Sequence, residues 1–422
     1  MKIKISNLLV LSALFIGTIH AGGFQLNEHG ARAMGMGGAF TAVADDPSAM
    51  YFNGAGLTQL YGWNFMAGTS FIAPNTEFRG ISSDITSYKT TAQTFVIPNG
   101  YVTYGSGDWA VGLGFNVPFG LGTEWPADWP GRYLAIKTDV RAYTITGEGA
   151  YKVLDNLSVS AGLVFSFATV TITQKIPYAT DPTHPILFNG DALISLEGKD
   201  NSAFGYNFGI LYKPIRKLSL GASFHSQIKY NFTGTATTTA ASQLAFETFP
   251  AGNISANLTT PFNLTFGAAY DLIPELKLSA DFQYVGWSSY DTLAIDFTNV
   301  PRAASPRLYD NSYIIRFGVD YRLNNALSFQ GGIYFDKNPV KPEYLNPSLP
   351  DANRICFSLG ANYKVTNNFT AAVSYLFIRS SELTVTNSNE SVVPTYPTDT
   401  RKFNGTYNSF ANIGSISLSY SL

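Results

Sequence analysis

The side chains that most often perform catalysis are few and scattered in this sequence. The histidines are His20, His29, His184 and His225, and no two of them stand at a spacing typical of metal ligands. The single cysteine, Cys356, permits no internal disulfide. No G-x-S-x-G motif, which would present a nucleophilic serine, occurs in the chain. We therefore predict no enzyme activity, no cofactor and no metal site.

Two local patterns could support chemistry, and each also has a structural interpretation. Ser223 and His225 alternate onto one face of a predicted strand, where they could act as a serine–histidine pair or simply line a wet lumen. The stretch Gly35-Met36-Gly37-Gly38 has the glycines of a phosphate loop but lacks the Lys-Ser/Thr that follows in one. These glycines would equally allow close packing against a wall. We favour the structural interpretation of both.

The start of the chain and its composition indicate an exported membrane protein. Lys2 and Lys4 precede the apolar stretch 8–19, and the small residue Ala21 ends it, as in a secretory signal peptide covering residues 1–21. Charged residues are 13% of the chain and aromatic residues 14%, whereas charged residues are about 25% of an average globular protein. No later segment has the roughly 18 consecutive apolar residues of a spanning helix. The net charge of −2 indicates no nucleic-acid partner.

A two-residue alternation of apolar and polar side chains begins near residue 60 and continues to the end. In Gly414–Leu422, Ile416 and Leu418 face one side while Ser415 and Ser417 face the other. This pattern suits strands with lipid outside and water inside. We predict fourteen strands at 60–73, 94–104, 108–117, 138–151, 157–173, 203–213, 218–233, 256–270, 276–288, 311–323, 326–337, 353–364, 369–380 and 409–421.

Short turns alternate with long connections between these strands, as at the two rims of an outer-membrane barrel. The predicted fold is therefore all-β: a transmembrane antiparallel β-barrel of about 14 strands in the outer membrane of a Gram-negative bacterium. A secreted soluble β-protein is the alternative, but it gives no reason for this alternation of loop lengths.

The stretch Gly22–Leu60 differs from the strands that follow it. It is rich in Gly and Ala and contains the turn-forming Asp45-Asp46-Pro47 and Asn53-Gly54. We predict that residues 22–59 form a hatch inside a barrel made by residues 60–422. Lumen-facing charges of both signs are expected to anchor this hatch by salt bridges. They are Glu148, Asp281, Arg316, Asp320, Arg322, Asp336 and Arg354.

The predicted long loops are unusually apolar for surface segments. Such patches usually mark a binding surface, although the loops could pack on one another or insert into the outer leaflet. Loops 118–137, 174–202 and 234–255 supply the candidate residues for capture of an apolar molecule, which are Phe119, Trp125, Trp129, Phe188, Leu244 and Phe246.

Strands two and three carry residues that interrupt a hydrogen-bond ladder at membrane depth. Pro98 has no N–H to donate, and strand three contains Gly112 and Gly114 before it runs into Pro118. Irregular backbone is costly in lipid unless it lines a cavity. We predict a kink or gap in the wall at these residues, with an ordinary β-bulge as the alternative.

Six motifs are distributed along the predicted mature chain. They are Phe24-Gln25-Leu26-Asn27-Glu28, Ala44-Asp45-Asp46-Pro47-Ser48-Ala49, Asn53-Gly54-Ala55-Gly56-Leu57, Phe119-Gly120-Leu121-Gly122-Thr123-Glu124-Trp125, Gly331–Pro339 and Pro350-Asp351-Ala352-Asn353-Arg354. Together they resemble the FadL-type family of outer-membrane transporters, which includes a TodX-like branch, and the resemblance covers essentially the whole predicted mature chain.

The resemblance implies a fourteen-stranded barrel with an internal hatch, an outer capture groove, an interior pocket and a kink in strand three through which cargo leaves sideways. It implies that Phe24 and Leu26 lie near the pocket and that Asn53, Gly54 and Ala55 form the hatch junction. The family has Asn-Pro-Ala at that junction, so Gly54 is a departure. Lys175 and Arg307 are candidates for binding a charged head group.

We therefore expect passive outer-membrane transport of long-chain fatty acids or similar hydrophobic compounds. The partners would be the hydrophobic molecule and outer-membrane lipid, with no nucleic acid, and the protein would be a monomer. One alternative is TodX-like uptake of aromatic hydrocarbons. The other is a structural or adhesive barrel, while a general porin is disfavoured by the hatch.

Overall fold

A computed structural model describes residues 22–81, 86–179, 188–240, 249–393 and 401–422. Within these residues, fourteen antiparallel strands close into a barrel. Four of the strands are interrupted and are given as two segments. The strands are β1 (Gly62–Gly80), β2 (Phe95–Gly105), β3 (Trp109–Glu124), β4 (Lys137–Leu154), β5 (Leu157–Ala179), β6 (Phe188–Ile215), β7 (Leu218–His225 and Lys229–Ala240), β8 (Gly252–Thr259 and Asn263–Ile273), β9 (Leu276–Val285 and Thr292–Phe297), β10 (Ala303–Pro306 and Ser312–Arg322), β11 (Leu327–Asp336), β12 (Arg354–Lys364), β13 (Phe369–Ser380) and β14 (Gly405–Ser421).

Pairing of the first and last strands closes the barrel, which leaves no sheet edge in the membrane. β1 and β14 pair from Asn64–Ser421 to Gly80–Gly405. The sequence alternation sets the two faces of the wall: Val96 and Val102 point outward, whereas Asn99 and Thr103 are buried inside. The predicted fold class and its fourteen strands are confirmed.

No helix among the described residues is long and apolar enough to cross a membrane.

Most of the described residues in the expected loops 174–202 and 234–255 belong to strands, so this part of the prediction is wrong. β5 and β6 pair as far as Ala179 and Phe188, and β6 pairs with β7 as far as Ala240. Ile194 and Leu196, which lie within the expected loop 174–202, pack across the sheet and are almost fully buried. The wall therefore extends well beyond the predicted strand ends on this side.

The segment before β1 fills the lumen, as the hatch prediction required. It contains two short helices, α1 (Ala31–Gly35) and α2 (Ala49–Phe52), and a 3-10 turn over Gly54–Gln59. Most of its residues are buried because the barrel wall surrounds them. The predicted signal peptide, His184, Leu244 and Phe246 lie outside the described residues.

Polar groups of the wall anchor the hatch at several points. Arg32 donates to Asp320 of β10 at 2.7 Å and to Asp45 within the hatch at 2.5 Å. Asp281 of β9 accepts from the backbone N–H groups of Phe40 and Thr41 at 3.1 and 3.0 Å. These contacts match the predicted anchoring by lumen charges.

Arg322 departs from that expectation. It lies exposed at the end of β10 and donates to the Pro274 carbonyl at 2.6 Å, in the turn that precedes β9.

Candidate functional site

The ladder between β2 and β3 is much shorter than the ladders on either side of it. Among the described residues, β2 and β3 share six pairs, and the last is Gly100–Phe115. β2 stays paired with β1 as far as Phe95, and β3 stays paired with β4 as far as Glu124. The two strands therefore diverge beyond Phe115, and each has a free edge there.

A bulge bends β3 at the point where it leaves β2. The register between β3 and β4 shifts between Asn116 and Phe119, which gives β3 one extra residue. Pro118 lies within this bulge and contributes no N–H to a ladder. Pro98 lies in the part of β2 that has lost its β3 partner but still pairs with Thr69 of β1.

Gly112 and Gly114, which were predicted to belong to the wall opening, lie outside the divergence of β2 and β3. They occupy the paired part of the wall, opposite Thr103 and Tyr101. A Cβ atom at Gly112 would lie 2.7 Å from the Sδ atom of Met50 in the hatch. These glycines therefore make room for the hatch and for Tyr101, and they are not part of the divergence.

The first residues of the hatch pair with the free edge of β3. Leu26 N donates to Pro118 O at 2.9 Å, and Gly120 N donates to Phe24 O at 3.1 Å. Gln25 and Phe119 form the antiparallel bridge between these two bonds. The N-terminal segment thus satisfies backbone groups that β2 leaves unpaired, in the manner of an added strand.

Aromatic rings hold Phe24 in place inside the barrel. The side chain of Phe24 is 6% exposed. Its ring lies 4.8 Å from that of Trp287, 5.9 Å from Phe119 and 6.0 Å from Tyr290, each in an edge-to-face arrangement. Burial and edge-to-face geometry are both favourable for aromatic pairs.

Phe24 stands between two cavities. One, which we call the gap cavity, measures about 430 Å³ and lies beside the divergence of β2 and β3. The other, the loop cavity, measures about 760 Å³ and lies within the extended parts of β5 to β10. Phe24, Leu121, Val140 and Leu349 line both cavities. These four side chains therefore form the partition between them.

The gap cavity reaches from the hatch to the outer face of the wall. Its lining includes Phe95 and Ile97 of the free β2 edge, together with Val96, which points outward and is 58% exposed. At its inner end are Asp351 and Arg354, whose side chains pair at 2.7 Å.

The loop cavity is mainly apolar, and Arg307 is the cation among the described residues that line it. Its sides include Ile172, Ile194 and Leu196. Arg307 is 7% exposed and also lines the cavity, with its Nη1 atom 3.9 Å from Glu390 Oε1.

Lys175 has a different environment from Arg307. It lies 3.4 Å from Asp191, which also binds Arg132 at 3.0 Å, and it is not among the cavity-lining residues. Of the two predicted cations, Arg307 therefore lines the loop cavity and Lys175 does not.

The tryptophans expected in an exposed capture groove are buried, which contradicts that expectation. Trp125 and Trp129 stack with ring centroids 4.1 Å apart and are almost fully buried. Their indole N–H groups donate to Pro347 O at 2.9 Å and Ala135 O at 2.8 Å. Phe78 and Phe403 pack on Trp129. The two indole rings thus form a small apolar core between loops that pack on one another.

The predicted hatch junction is bonded to the wall. Asn53 Nδ2 donates to Thr41 O at 2.8 Å and to Ile210 O of β6 at 2.9 Å, while its Oδ1 accepts from Ala55 N at 3.2 Å. Gly54 lies directly against Glu148 of β4, a residue that is 6% exposed.

The remaining polar candidates lie along the lumen. Ser223 Oγ and His225 Nε2 are 3.2 Å apart, and His225 lines a small space of about 80 Å³ against the hatch. Within the described part of the chain, no group of three or more His, Cys, Asp and Glu side chains is arranged to hold a metal ion.

Sequence reasoning missed Trp287, Tyr290 and Tyr309. The ring centroids of Trp287 and Tyr309 lie 6.0 Å apart, and those of Tyr290 and Tyr309 lie 5.0 Å apart. The aromatic pair Trp287 and Tyr290, in the interruption between the two segments of β9, was the available signal. Nothing in the sequence pattern indicated that these rings meet Phe24.

A family model described as outer membrane protein transport protein (OMPP1/FadL/TodX) matches residues 12–422. The chain belongs to this family. The resemblance to FadL-type proteins, and with it the outer-membrane localisation, is confirmed.

Proteins similar to this OMPP1/FadL/TodX family member include several that are named as transporters. A long-chain fatty acid transport protein of Escherichia coli is 25% identical, covering 90% of this chain and 92% of the relative. A FadL homologue of Pseudomonas aeruginosa matches the fold with a TM-score of 0.84 at 20% identity, over 95% of this chain and 100% of the neighbour. The Pseudomonas putida toluene transporter TodX matches the fold with a TM-score of 0.77 at 18% identity, over 94% of this chain and 99% of the neighbour.

Proposed function

We propose that this protein carries long-chain fatty acids or similar hydrophobic molecules passively across the outer membrane. The family is one of transport proteins, and the named E. coli relative transports long-chain fatty acids. The loop cavity gives an apolar molecule a binding space whose walls are mainly aliphatic and aromatic, which is the usual character of a ligand pocket. Transport by this route needs no catalysis and no cofactor.

The observation that carries the proposal is the divergence of β2 and β3 beside the gap cavity. An apolar molecule would enter the loop cavity, displace Phe24 and reach the gap cavity. It would then leave sideways between the free edges of the two strands. A lateral path suits such cargo, because the hydrocarbon region of the membrane solvates it better than periplasmic water.

The closed hatch would keep this path from being a water channel. We propose that residues 1–21 are removed as a signal peptide, that residues 22–59 act as the gate, and that residues 60–422 form the wall. Movement of Gly22–Leu26 away from β3 would join the cavities while Asn53 and Gly54 hold the rest of the hatch. Because the wall is closed within one chain, a monomer in outer-membrane lipid would suffice.

The residues proposed to contact cargo follow from the two cavities. Phe24 and Leu26 would line the passage, with Phe119 as part of its wall, and Arg307 would face a polar end of the molecule in the loop cavity. Phe188 begins β6 at the far end of the extension, and its role stays a prediction. Trp125 and Trp129 would act indirectly by supporting the loops.

The proposal is tested by uptake into cells with and without this chain. Radiolabelled oleate and labelled toluene are supplied separately, and the rate of cell-associated label is measured. We expect chain-dependent uptake of at least one compound. Uptake of both compounds at the same rate in the two strains would refute the proposed function.

A further inference from the structure

The opening between β2 and β3, which we call the slot, is bounded at both ends by hydrogen bonds. At the end nearer the turn that joins the two strands, the ladder stops at the pair Gly100–Phe115. At the other end, Thr91 N donates to Glu124 O at 2.7 Å, and Gln93 Nε2 donates to Glu124 Oε2 at 2.7 Å. Between these ends β2 stays paired with β1, and β3 stays paired with β4. The slot therefore has a fixed length between two supported strands.

Two glycines on the β3 side of the slot leave room for side chains from other elements. Gly120 and Gly122 both line the gap cavity. A Cβ atom at Gly120 would lie 2.9 Å from Leu26 Cδ1 of the hatch, and a Cβ atom at Gly122 would overlap Cζ of Phe95 of β2. Leu26 and the Phe95 ring therefore rest directly on the backbone of β3. Together these two apolar side chains occupy the slot.

Leu26 and Phe95 are attached to different parts of the molecule. Leu26 belongs to the N-terminal segment, whose backbone bonds to Pro118 and Gly120 break when that segment moves. Phe95 belongs to the wall, where it pairs with Ile72 of β1. Displacement of the N-terminal segment therefore removes Leu26 from the slot and leaves the Phe95 ring in it.

The slot is narrower than the spaces that it connects. The gap cavity and the loop cavity measure about 430 and 760 Å³, and pockets that hold drug-sized ligands measure about 300–1,000 Å³. Both cavities can therefore hold a bulky molecule. The slot, with the Phe95 ring placed against Gly122, is the narrow point of the exit path.

We propose that Phe95 is a specificity-determining residue, which limits the cross-section of the cargo that leaves through the wall. The inference rests on the proposed function, since it concerns the same exit path. Phe95 is partly exposed, and side chains in such positions change rotamer rapidly, so a straight hydrocarbon chain passes beside the moving ring. A wide and rigid cargo, such as a fused polycyclic ring system, collides with the ring and passes slowly. Collision alone is sufficient for such discrimination.

The test compares the uptake of two probes that share a carboxylate end and differ in the width of their apolar part, oleate and pyrenebutanoate. Each rate is measured in cells that carry the full-length protein and is corrected with cells that lack it. The wild type should take up oleate at least about tenfold faster than pyrenebutanoate. Phe95→Ala should raise the ratio of the pyrenebutanoate rate to the oleate rate at least about fivefold, because it removes the colliding ring.

Phe71→Ala is the matched control for the loss of a phenyl ring. Phe71 lies on β1 opposite Val96 and is 46% exposed on the outer face of the wall. Its ring is near the slot but does not line the gap cavity, so the ratio of the two rates should keep its wild-type value. Heat-dependent gel mobility and equal surface amounts verify that each barrel is folded and exported.

Gly122→Ala tests the contact itself. The added methyl group would press on the Phe95 ring, and the bond between Gln93 and Glu124 confines the ring on the other side. The ring should therefore shift into the open part of the slot and lower the oleate rate about threefold or more. In a Phe95→Ala background the same substitution should change the oleate rate by less than about 1.5-fold, since effects of contacting residues are coupled.

The possible failures are distinguishable. Absence of chain-dependent oleate uptake in the wild type would overturn the proposed function and this inference with it. Normal oleate uptake, with the same probe ratio in folded Phe95→Ala as in the wild type, would overturn selection by width while leaving transport intact. An equal rise of the ratio in Phe71→Ala, or an equal effect of Gly122→Ala in both backgrounds, would contradict the assignment to the Phe95 ring.

Discussion

Glu148 of the barrel wall occupies the space into which a side chain at Gly54 of the hatch would project. A Cβ atom at position 54 would lie 1.6 Å from Glu148 Oε1 and 2.0 Å from its Cδ atom. Neither distance is compatible with a real contact, so glycine is required here as long as Glu148 keeps its position. The close approach of Glu148 on β4 thus accounts for a glycine at position 54.

The first prediction concerns this pair. Gly54→Ala should weaken the seating of the hatch by roughly 1–3 kcal/mol, because inserting a methyl group into a packed site forces its neighbours apart. Ion conductance in planar bilayers should rise as the hatch loosens. Adding Glu148→Ala should bring the conductance back toward the wild-type level, since it removes the atoms that collide.

Gly149→Ala is the matched control for this experiment. It lies next to Glu148 in β4, but a Cβ atom there would meet nothing within 4 Å. Wild-type conductance in both glycine variants would contradict a tight junction at position 54.

The second prediction concerns the partition between the cavities. Phe24→Ala removes the ring that packs on Trp287 and lines both spaces. Binding of a fluorescent fatty-acid analogue to the purified protein should weaken about tenfold, which corresponds to ~1.4 kcal/mol. Phe266→Ala is the control, because Phe266 faces outward and is 52% exposed. Unchanged affinity in Phe24→Ala would exclude this ring from the binding site.

The third prediction concerns pH. Burial lowers the pKa of His29 in the hatch to about 3, from an ordinary value near 6.5. The seated hatch therefore holds His29 neutral, while a released hatch exposes it and lets it take up a proton. The free energy that seats the hatch is fully present above pH 6.5 and decreases as the pH falls toward 3.

The contribution of His29 to hatch release should accordingly increase the conductance on acidification from pH 7 to pH 4, and His29→Phe should make that increase smaller. Asp45 does not contribute in this range: burial alone would raise its pKa, but Arg32 and Lys277 lower it to about 2. A wild-type conductance that stays constant between pH 7 and pH 4 would contradict this prediction.

The strands could be predicted from sequence because lipid and water impose opposite requirements on alternate residues. The extension of β5 and β6 was missed for a physical reason. Outside the membrane, neither face of a strand has to be apolar, so a strand there need not show a two-residue alternation. The sequence around Ile194 was therefore indistinguishable from an apolar loop. Their pairing partners are distant in sequence, and alternation alone does not reveal them.

The site could be predicted only where single residues have strong local effects. Pro98 and Pro118 indicated a disturbance in the wall because a proline cannot donate to a ladder. The pairing of Gln25 with Phe119 and the packing of Phe24 on Trp287 depend on how the hatch folds back inside the barrel. Those contacts join residues far apart in sequence, and no local pattern specifies them.

The most direct test of the central claim is to close the divergence between β2 and β3. Pro98→Val and Pro118→Val together supply the two missing N–H donors and favour continued pairing of the strands. Pro274→Val, in the turn before β9, is the matched control. The uptake rate of labelled oleate or toluene is measured in cells with equal surface amounts of folded protein.

The double proline variant should lose about 80% or more of the chain-dependent uptake, whereas the control should retain it. Chain-dependent uptake by the double variant at the wild-type rate, with β2 and β3 paired beyond Phe115 in its structure, would contradict exit through this part of the wall.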